Sequence, residues 1–106
     1  MAGGAKERLV NFIDRKALAP VLEADPGSFP ERKRDDLRDV QEATRAERER
    51  FRNYDSAEQV YEMFRNDLSS DAAKKVHRKL RDLGLPTLDD IEVDVEEMAK
   101  DAGIRN

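Results

Sequence analysis

Apolar residues recur at spacings of three and four along most of the chain, which is the pattern of amphipathic helices. Gly and Pro interrupt this pattern in four places. The first segment, about Ala5 to Leu18, places Leu9, Ile13 and Ala17 on one stripe. Pro20 is expected to end or kink this first helix.

A second, longer helix is predicted from about Pro30 to Asn53. Its stripe runs through Lys33, Leu37, Val40, Thr44, Glu47, Phe51 and Tyr54. The stripe has apolar residues near both ends and a charged middle, where the small uncharged residues are Ala43, Thr44 and Ala46. This middle either packs closely through small side chains or projects into water. We favour water, because oppositely charged neighbours one turn apart support a solvated helix.

Two further helices follow, each marked by a capping signal. Ser56 and Gln59 fit a capping box that begins the third helix. Its apolar set is the densest in the chain, so we expect this helix at the centre of the core. The fourth helix is predicted from about Asp71 to Leu83, with an N-cap in Ser69-Ser70-Asp71 and Gly84 as the left-handed residue that ends it.

The last segment carries two competing patterns. Leu88, Ile91, Val95 and Met98 make a helical stripe, but the stretch from Ile91 to Val95 also alternates as a strand would. A single strand needs a partner, and no other stretch of this chain offers one. We therefore favour a helix over residues 88–101.

Composition sets the size of the core. The chain has 106 residues, of which 38% are hydrophobic and 42% are charged, with a net charge of −4. We predict an all-α fold, a single compact bundle of four to five helices over residues 5–103 with one long charged helix and frayed termini at 1–4 and 104–106. The expected core contains Ile13, Leu37, Val60, Phe64, Val76, Leu80, Ile91 and Val95.

The residue inventory argues against catalysis, and we predict no catalytic, cofactor-binding or metal-binding residue. The chain has no Cys and one His, so it offers neither a thiolate site nor a His-based metal cluster. His77 is interpreted as a surface or boundary residue. The acidic stretch from Asp89 to Glu97 lacks the Gly and the Glu of a calcium loop. The longest apolar run, Ala17 to Leu22, is too short to span a membrane, and no signal peptide is visible, so we expect a cytoplasmic protein without a membrane partner.

One charge run departs from the balance of the chain: Lys74, Lys75, Arg78, Lys79 and Arg81 have no acid among them. With the helix before it, this basic helix loosely resembles a helix-turn-helix that would bind DNA. Residues 55–106 nevertheless carry more acids than bases, whereas DNA-binding domains usually have a basic excess. We therefore rank nucleic acid below a protein partner. The alternative to DNA binding is that the acidic segment that follows neutralises the basic helix within the domain.

The function predicted from the sequence is a non-enzymatic interaction or regulatory module in the cytoplasm, with a homo-oligomer as one form and an unspecified protein as partner. The aromatic residues hardest to place in a core are Phe29, Phe51 and Tyr54. Because aromatic side chains are enriched at interface hot spots, these three form the candidate partner surface, and a core or boundary position is the alternative for each.

Overall fold

Five helices make up most of residues 4–104, the part of the chain that this computed structural model describes. Helix α1 combines an α-helical part, Ala5–Ile13, a π-helical turn, Asp14–Leu18, and a last α-helical turn, Ala19–Leu22. The others are α2 (Arg34–Asn53), α3 (Ala57–Ser69), α4 (Asp71–Asp82) and α5 (Glu92–Asp101), with short 3-10 turns at Pro26–Ser28, Glu31–Lys33 and Leu88–Ile91. The predicted all-α fold is confirmed, and the described residues contain no strand, so the last segment is helical.

The helices pack into a bundle of 45 × 27 × 19 Å. The first part of α1 packs against α3 and α5, and its last turns pack against α2. Helix α4 packs against both α2 and α3, and the 3-10 turn before α5 contacts α3 and the π-helical turn. This arrangement brings α1, α3 and α4 together around the middle of α2.

Buried apolar side chains form two separate clusters. The large cluster comprises Leu9, Val10, Ile13, Ala17, Leu18, Phe51, Val60, Phe64, Leu88, Ile91 and Val95. The small cluster comprises Val21, Leu37, Val40, Leu80 and Leu83. All the predicted core residues are buried except Val76, which is half-buried and packs against the small cluster.

Helix α1 does not end at Pro20 but continues for two more residues. Proline inside a helix lacks an amide hydrogen and its ring collides with the carbonyl four residues earlier. The preceding turn is π-helical, and the Ala19 N–H donates to the Asp14 carbonyl, five residues back. This wider turn carries the helix past the proline, which the spacing of apolar residues did not predict.

The predicted N-caps of α3 and α4 are confirmed. The Gln59 N–H donates to Ser56 Oγ at 3.2 Å, while Gln59 Oε1 accepts the Asp55 N–H at 2.8 Å. At the start of α4, the Ala73 N–H donates to Ser70 Oγ at 3.1 Å. Both helices therefore begin where a serine satisfies an otherwise unpaired amide.

The last turns of α4 and α5 end in the same way, on a glycine with positive φ. Gly84 has φ of 74° and Gly103 has φ of 76°, a conformation that other residues adopt only with strain. After the second of these, the Ile104 N–H donates to the Ala99 carbonyl at 2.8 Å, and Ile104 packs against the large cluster. Gly4 accepts a hydrogen bond from the Arg8 N–H. The remaining residues predicted to fray, 1–3 and 105–106, lie outside the described residues.

The aromatic residues assigned to a partner surface pack inward. Phe51 is 1% exposed and belongs to the large cluster, and Tyr54 meets its ring edge-on at 6.4 Å between centroids. Tyr54 and Phe29 are half-buried, the first against the large cluster and the second against the small one. Phe51 is buried because it lies on the α2 stripe beyond the charged middle, where the stripe packs against the large cluster. It is therefore a core residue and is not available to a partner.

Replacing Phe51 with alanine should lower the free energy of unfolding by about 3–5 kcal/mol, because it leaves a cavity in the large cluster. Urea denaturation followed by circular dichroism measures this loss. The control V93A changes an exposed apolar residue, 70% accessible, and should shift stability by less than about 0.5 kcal/mol. A loss below about 1 kcal/mol for F51A would place Phe51 outside the core.

Candidate functional site

A cavity of about 410 Å³ lies between the two apolar clusters. Its wall is formed by the π-helical turn of α1, the middle of α2, the end of α3, the inner face of α4 and residues 87–88. Exposed residues at its edge, including Arg50 and Ser70, open it to solvent. A second, smaller cavity of about 170 Å³ lies between α1 and the end of α5 and is lined by Arg8, Met98 and Ile104 among others.

Small side chains explain why this space is not filled. Five alanines line it, two of them from α2, together with larger apolar residues from α1, α4 and the turn before α5. Between Val40 and Phe51 the α2 stripe presents only Thr44 and Glu47, and Thr44 is buried. The sequence offered close packing or solvation for the middle of α2 and favoured solvation. The structure shows neither, because this part of α2 forms a cavity wall.

Two carboxyl groups meet in this wall. The side chain of Glu47, 18% exposed, hydrogen bonds to that of Asp67, which comes from α3. The Asp67 Oδ2 atom is buried and accepts no hydrogen bond from any N–H or hydroxyl among residues 4–104. Only a proton shared between the two carboxyls can supply a donor for this bond. We call these two residues the carboxyl pair.

Burial raises the pKa of Glu47 to about 9, and the hydrogen bond and the negative charge of Asp67 act in the same direction. Arg50 opposes this rise, but its Nη2 atom is 3.9 Å from Glu47 Oε2 and its side chain is mostly exposed. At neutral pH the Glu47 carboxyl is therefore protonated.

His77 lines the same cavity and is not the surface residue that the sequence predicted. It is 5% exposed because it lies on the inner face of α4, one turn before Leu80. Burial lowers its pKa, although the Asp89 carboxylate, 3.7 Å from Nδ1, acts in the opposite direction. The imidazole is thus neutral at pH 7 and presents one donor and one acceptor.

Thr87 in the wall caps the turn before α5. It is 1% exposed, and its side chain and that of Asp90 form a reciprocal capping box. Its backbone N–H donates to Asp90 Oδ2 at 3.0 Å, which fixes the turn before α5. Thr87 and the carboxyl pair are the polar members of a cavity lining that also contains apolar side chains.

Contacts between helices hold the cavity walls in place. Arg48 on α2 makes a two-pronged ion pair with Asp14 in the π-helical turn, at 2.6 and 2.9 Å. Gln41 Nε2 donates to the carbonyls of Val21 and Ala24 at 3.1 and 2.9 Å, at and just beyond the end of α1. These bonds tie the end of α1 to α2 on either side of the buried Thr44.

The basic residues of α4 divide into two groups. Lys74, Lys75 and Arg78 are exposed and make no ion pair within residues 4–104. They lie outside the lining of the cavity, which α4 contributes to with residues including Ala73 and His77.

The other two basic residues are neutralised within the fold. Lys79 Nζ lies 3.7 Å from Asp36 Oδ1 and 3.3 Å from Asp39 Oδ2, and both acids are on α2. Arg81 pairs with Asp89 in the turn before α5. The predicted neutralisation of the basic helix by the acidic segment therefore involves Asp89, while α2 supplies the acids for Lys79.

The acidic residues of α5 have another partner. Arg65 on α3 contacts Glu92 at 3.1 Å and Glu96 at 2.8 Å, and the Tyr61 hydroxyl donates to Glu96 at 2.7 Å. These contacts fasten α5 to α3. No group of three or more His, Asp or Glu side chains within residues 4–104 is placed to hold a metal ion.

Comparison of the chain with protein-family models, curated proteins and solved structures finds no match. The functional argument therefore depends on the cavity itself. Two signals for the cavity were present in the sequence: Glu47 stands on the α2 stripe, and His77 stands one turn from Leu80 on an apolar face. The pairing of Glu47 with Asp67 had no sequence signal, because it joins two different helices.

Replacing Glu47 with glutamine should make the protein more stable at high pH. The folded state keeps a proton on Glu47 that the unfolded chain releases above its ordinary pKa of 4.5, so stability falls as the pH rises from about 4.5 towards 9. The E47Q variant removes this titration and retains an amide donor for Asp67. We expect it to exceed the wild type by about 1–3 kcal/mol at pH 8.5 and by much less at pH 5.

Urea denaturation at these two pH values measures the difference. The control E42Q changes an exposed acid on the same helix and should not alter the pH dependence. Equal stabilities of E47Q and wild type at pH 8.5 would show that Glu47 is ionised in the folded protein.

Proposed function

We propose that this protein is a non-enzymatic regulatory module that binds a small, mostly apolar ligand in the cavity between α1, α2, α3 and α4. The observation that carries this proposal is the cavity wall, in which the carboxyl pair and the imidazole of His77 are set among apolar side chains. Sites for small molecules typically measure about 300–1,000 Å³ and combine apolar walls with a few convergent polar groups. A cavity of about 410 Å³ with this lining fits that description.

Binding is favoured over catalysis by the state of the hydroxyl groups around the cavity. A nucleophilic hydroxyl needs a base within hydrogen-bond distance. The Ser70 hydroxyl accepts the amide of Ala73 as an N-cap, and the Thr87 side chain belongs to the capping box before α5. The carboxyl pair and His77 have groups to bind and orient a ligand, without an activated nucleophile beside them.

A regulatory role follows from where the cavity lies. A ligand there would contact four helices at once and would stabilise the folded state by mass action. It would also contact the inner face of α4, whose outer face carries Lys74, Lys75 and Arg78. We propose that this outer face serves an acidic protein partner.

Nucleic acid is the second candidate for the same basic face. Three exposed cations without ion pairs favour it, whereas the neutralisation of Lys79 and Arg81 by acids of the fold disfavours it. Fewer phosphate contacts mean weaker binding at physiological salt. We therefore rank an acidic protein above nucleic acid as the partner of this basic face.

A cytoplasmic location is part of the same proposal. The chain has no Cys, so it folds without disulfides, as most cytoplasmic proteins do. None of the helices within residues 4–104 has both the length and the apolar composition that crossing a membrane requires.

Filling the cavity should abolish ligand binding without unfolding the protein. In A43L a leucine occupies space that Ala43 leaves open, whereas the control E42L adds a leucine at the exposed neighbouring position. We expect compounds from a library of small apolar fragments to shift the ¹H–¹⁵N signals of residues around the cavity in wild type and E42L, with dissociation constants of micromolar to millimolar, and not in A43L. If no fragment shifts these signals, or if A43L binds as well as wild type, the cavity is not a ligand site.

A further inference from the structure

We propose that the exposed side of α2 is a self-association surface, on which a second copy of the chain packs antiparallel and forms a two-fold symmetric dimer. The surface is separate from the cavity, so this inference goes beyond the proposed function and does not depend on it. It is carried by a repeating pattern of opposite charges along one side of the helix. We call the six residues of this pattern the charge stripe: Asp35, Arg38, Glu42, Arg45, Glu49 and Arg52.

The charge stripe has the spacing of a coiled-coil seam. Its members are separated alternately by three and four residues, and all six are exposed. The acids take the first position of three successive heptads, and the arginines take the fourth. At 1.5 Å per residue the charge stripe runs for about 25 Å, which is most of the length of α2.

Other sides of α2 are occupied by contacts within the fold. Gln41 and Arg48 bond to the end of α1 and to its π-helical turn, and Asp36 and Asp39 form ion pairs with α4. The middle of the helix lines the cavity. The charge stripe lies on the side of α2 that these contacts leave open to solvent.

The charges of the charge stripe are mostly unpaired within residues 4–104. Opposite charges one turn apart on a helix can pair with each other. Along the charge stripe this happens between Arg38 and Asp35, at 3.8 Å and with both side chains largely exposed. The other four members form no ion pair with any described residue: Glu42, Arg45, Glu49 and Arg52. Their charges are therefore available to a second copy.

The order of the charges selects an antiparallel second copy. In an antiparallel pair of helices the first heptad position of one helix faces the fourth of the other, so every acid meets an arginine. With the two-fold axis between positions 43 and 44, the facing pairs are Asp35 with Arg52, Arg38 with Glu49, and Glu42 with Arg45. Symmetry repeats each pair, because a two-fold interface uses the same surface of both copies. A parallel copy would instead place each charge against its own sign.

The chemistry of these pairs sets the strength of the dimer. A guanidinium donates two parallel hydrogen bonds to a carboxylate, and the aliphatic stem of arginine covers neighbouring surface. A single exposed ion pair contributes little, whereas a row of pairs acts as a network. Salt screens such exposed charges. We therefore expect a weak dimer that dissociates as the salt concentration rises.

Sedimentation velocity of the full chain at two salt concentrations measures this association. Wild type should dimerise with a dissociation constant of about 10–500 μM in about 50 mM NaCl, and this constant should rise at least about tenfold in about 500 mM NaCl. E42R and R45E each place like charges face to face twice in the dimer, so each variant alone should be a monomer. The control E62R makes the same change of charge at an exposed position on α3 and should dimerise as wild type does.

An equimolar mixture of E42R and R45E separates contacts between copies from contacts within one helix. One variant has two arginines at these positions and the other has two glutamates, so opposite charges face each other again when the two chains pair. The mixture should therefore sediment as a heterodimer. Contacts within one helix cannot produce this rescue, because neither chain regains an opposite pair of its own.

Three results would overturn the inference. The first is a wild type that stays monomeric up to about 500 μM in about 50 mM NaCl, and the second is a mixture that does not associate. The third is a dimer that survives R45E but is lost in R78E, which would place the self-contact on the exposed basic face of α4.

Discussion

Glu47 lies half-buried at the middle of the α2 stripe, between two separate apolar clusters rather than in one continuous core. An ionised carboxylate in such a place would lose the free energy of its hydration, so the group keeps a proton and hydrogen bonds to Asp67. This pair joins α2 to α3 in the cavity wall. Thr44 and Glu47 occupy the turns of α2 between Val40 of the small cluster and Phe51 of the large cluster.

The small supply of large apolar residues makes this arrangement possible and also limits it. Of the hydrophobic residues, 12 are alanines, and five of these line the cavity. Packing contacts that larger side chains would have provided are absent there, so specific polar contacts hold the walls instead, among them the Arg48–Asp14 ion pair. A ligand in the cavity would restore contacts that the sequence leaves out. This is the physical link between the fold and the proposed function.

Local features could be predicted from the sequence because their causes are local. Ser56 caps α3 and Gly84 ends α4 through residues within one turn of each other, and the spacing of apolar residues gave the helices themselves. The sequence left Phe51 between a core and a partner-surface role, because its neighbours Arg50 and Arg52 are charged, and the structure places it in the core. The π-helical turn before Pro20 was missed because apolar spacing does not encode a change in hydrogen-bond pattern.

The site itself depends on contacts between residues that are distant in the sequence, and the sequence alone did not predict these contacts. Nothing near Glu47 in the sequence indicates that Asp67, on another helix, is its partner. The most direct test of the account is the titration of the Glu47 side-chain carboxyl by ¹³C NMR from about pH 3 to pH 10. The account predicts a pKa for Glu47 near the value of about 9 that its burial and its bond to Asp67 produce, and a pKa close to the ordinary 4.5 would contradict it.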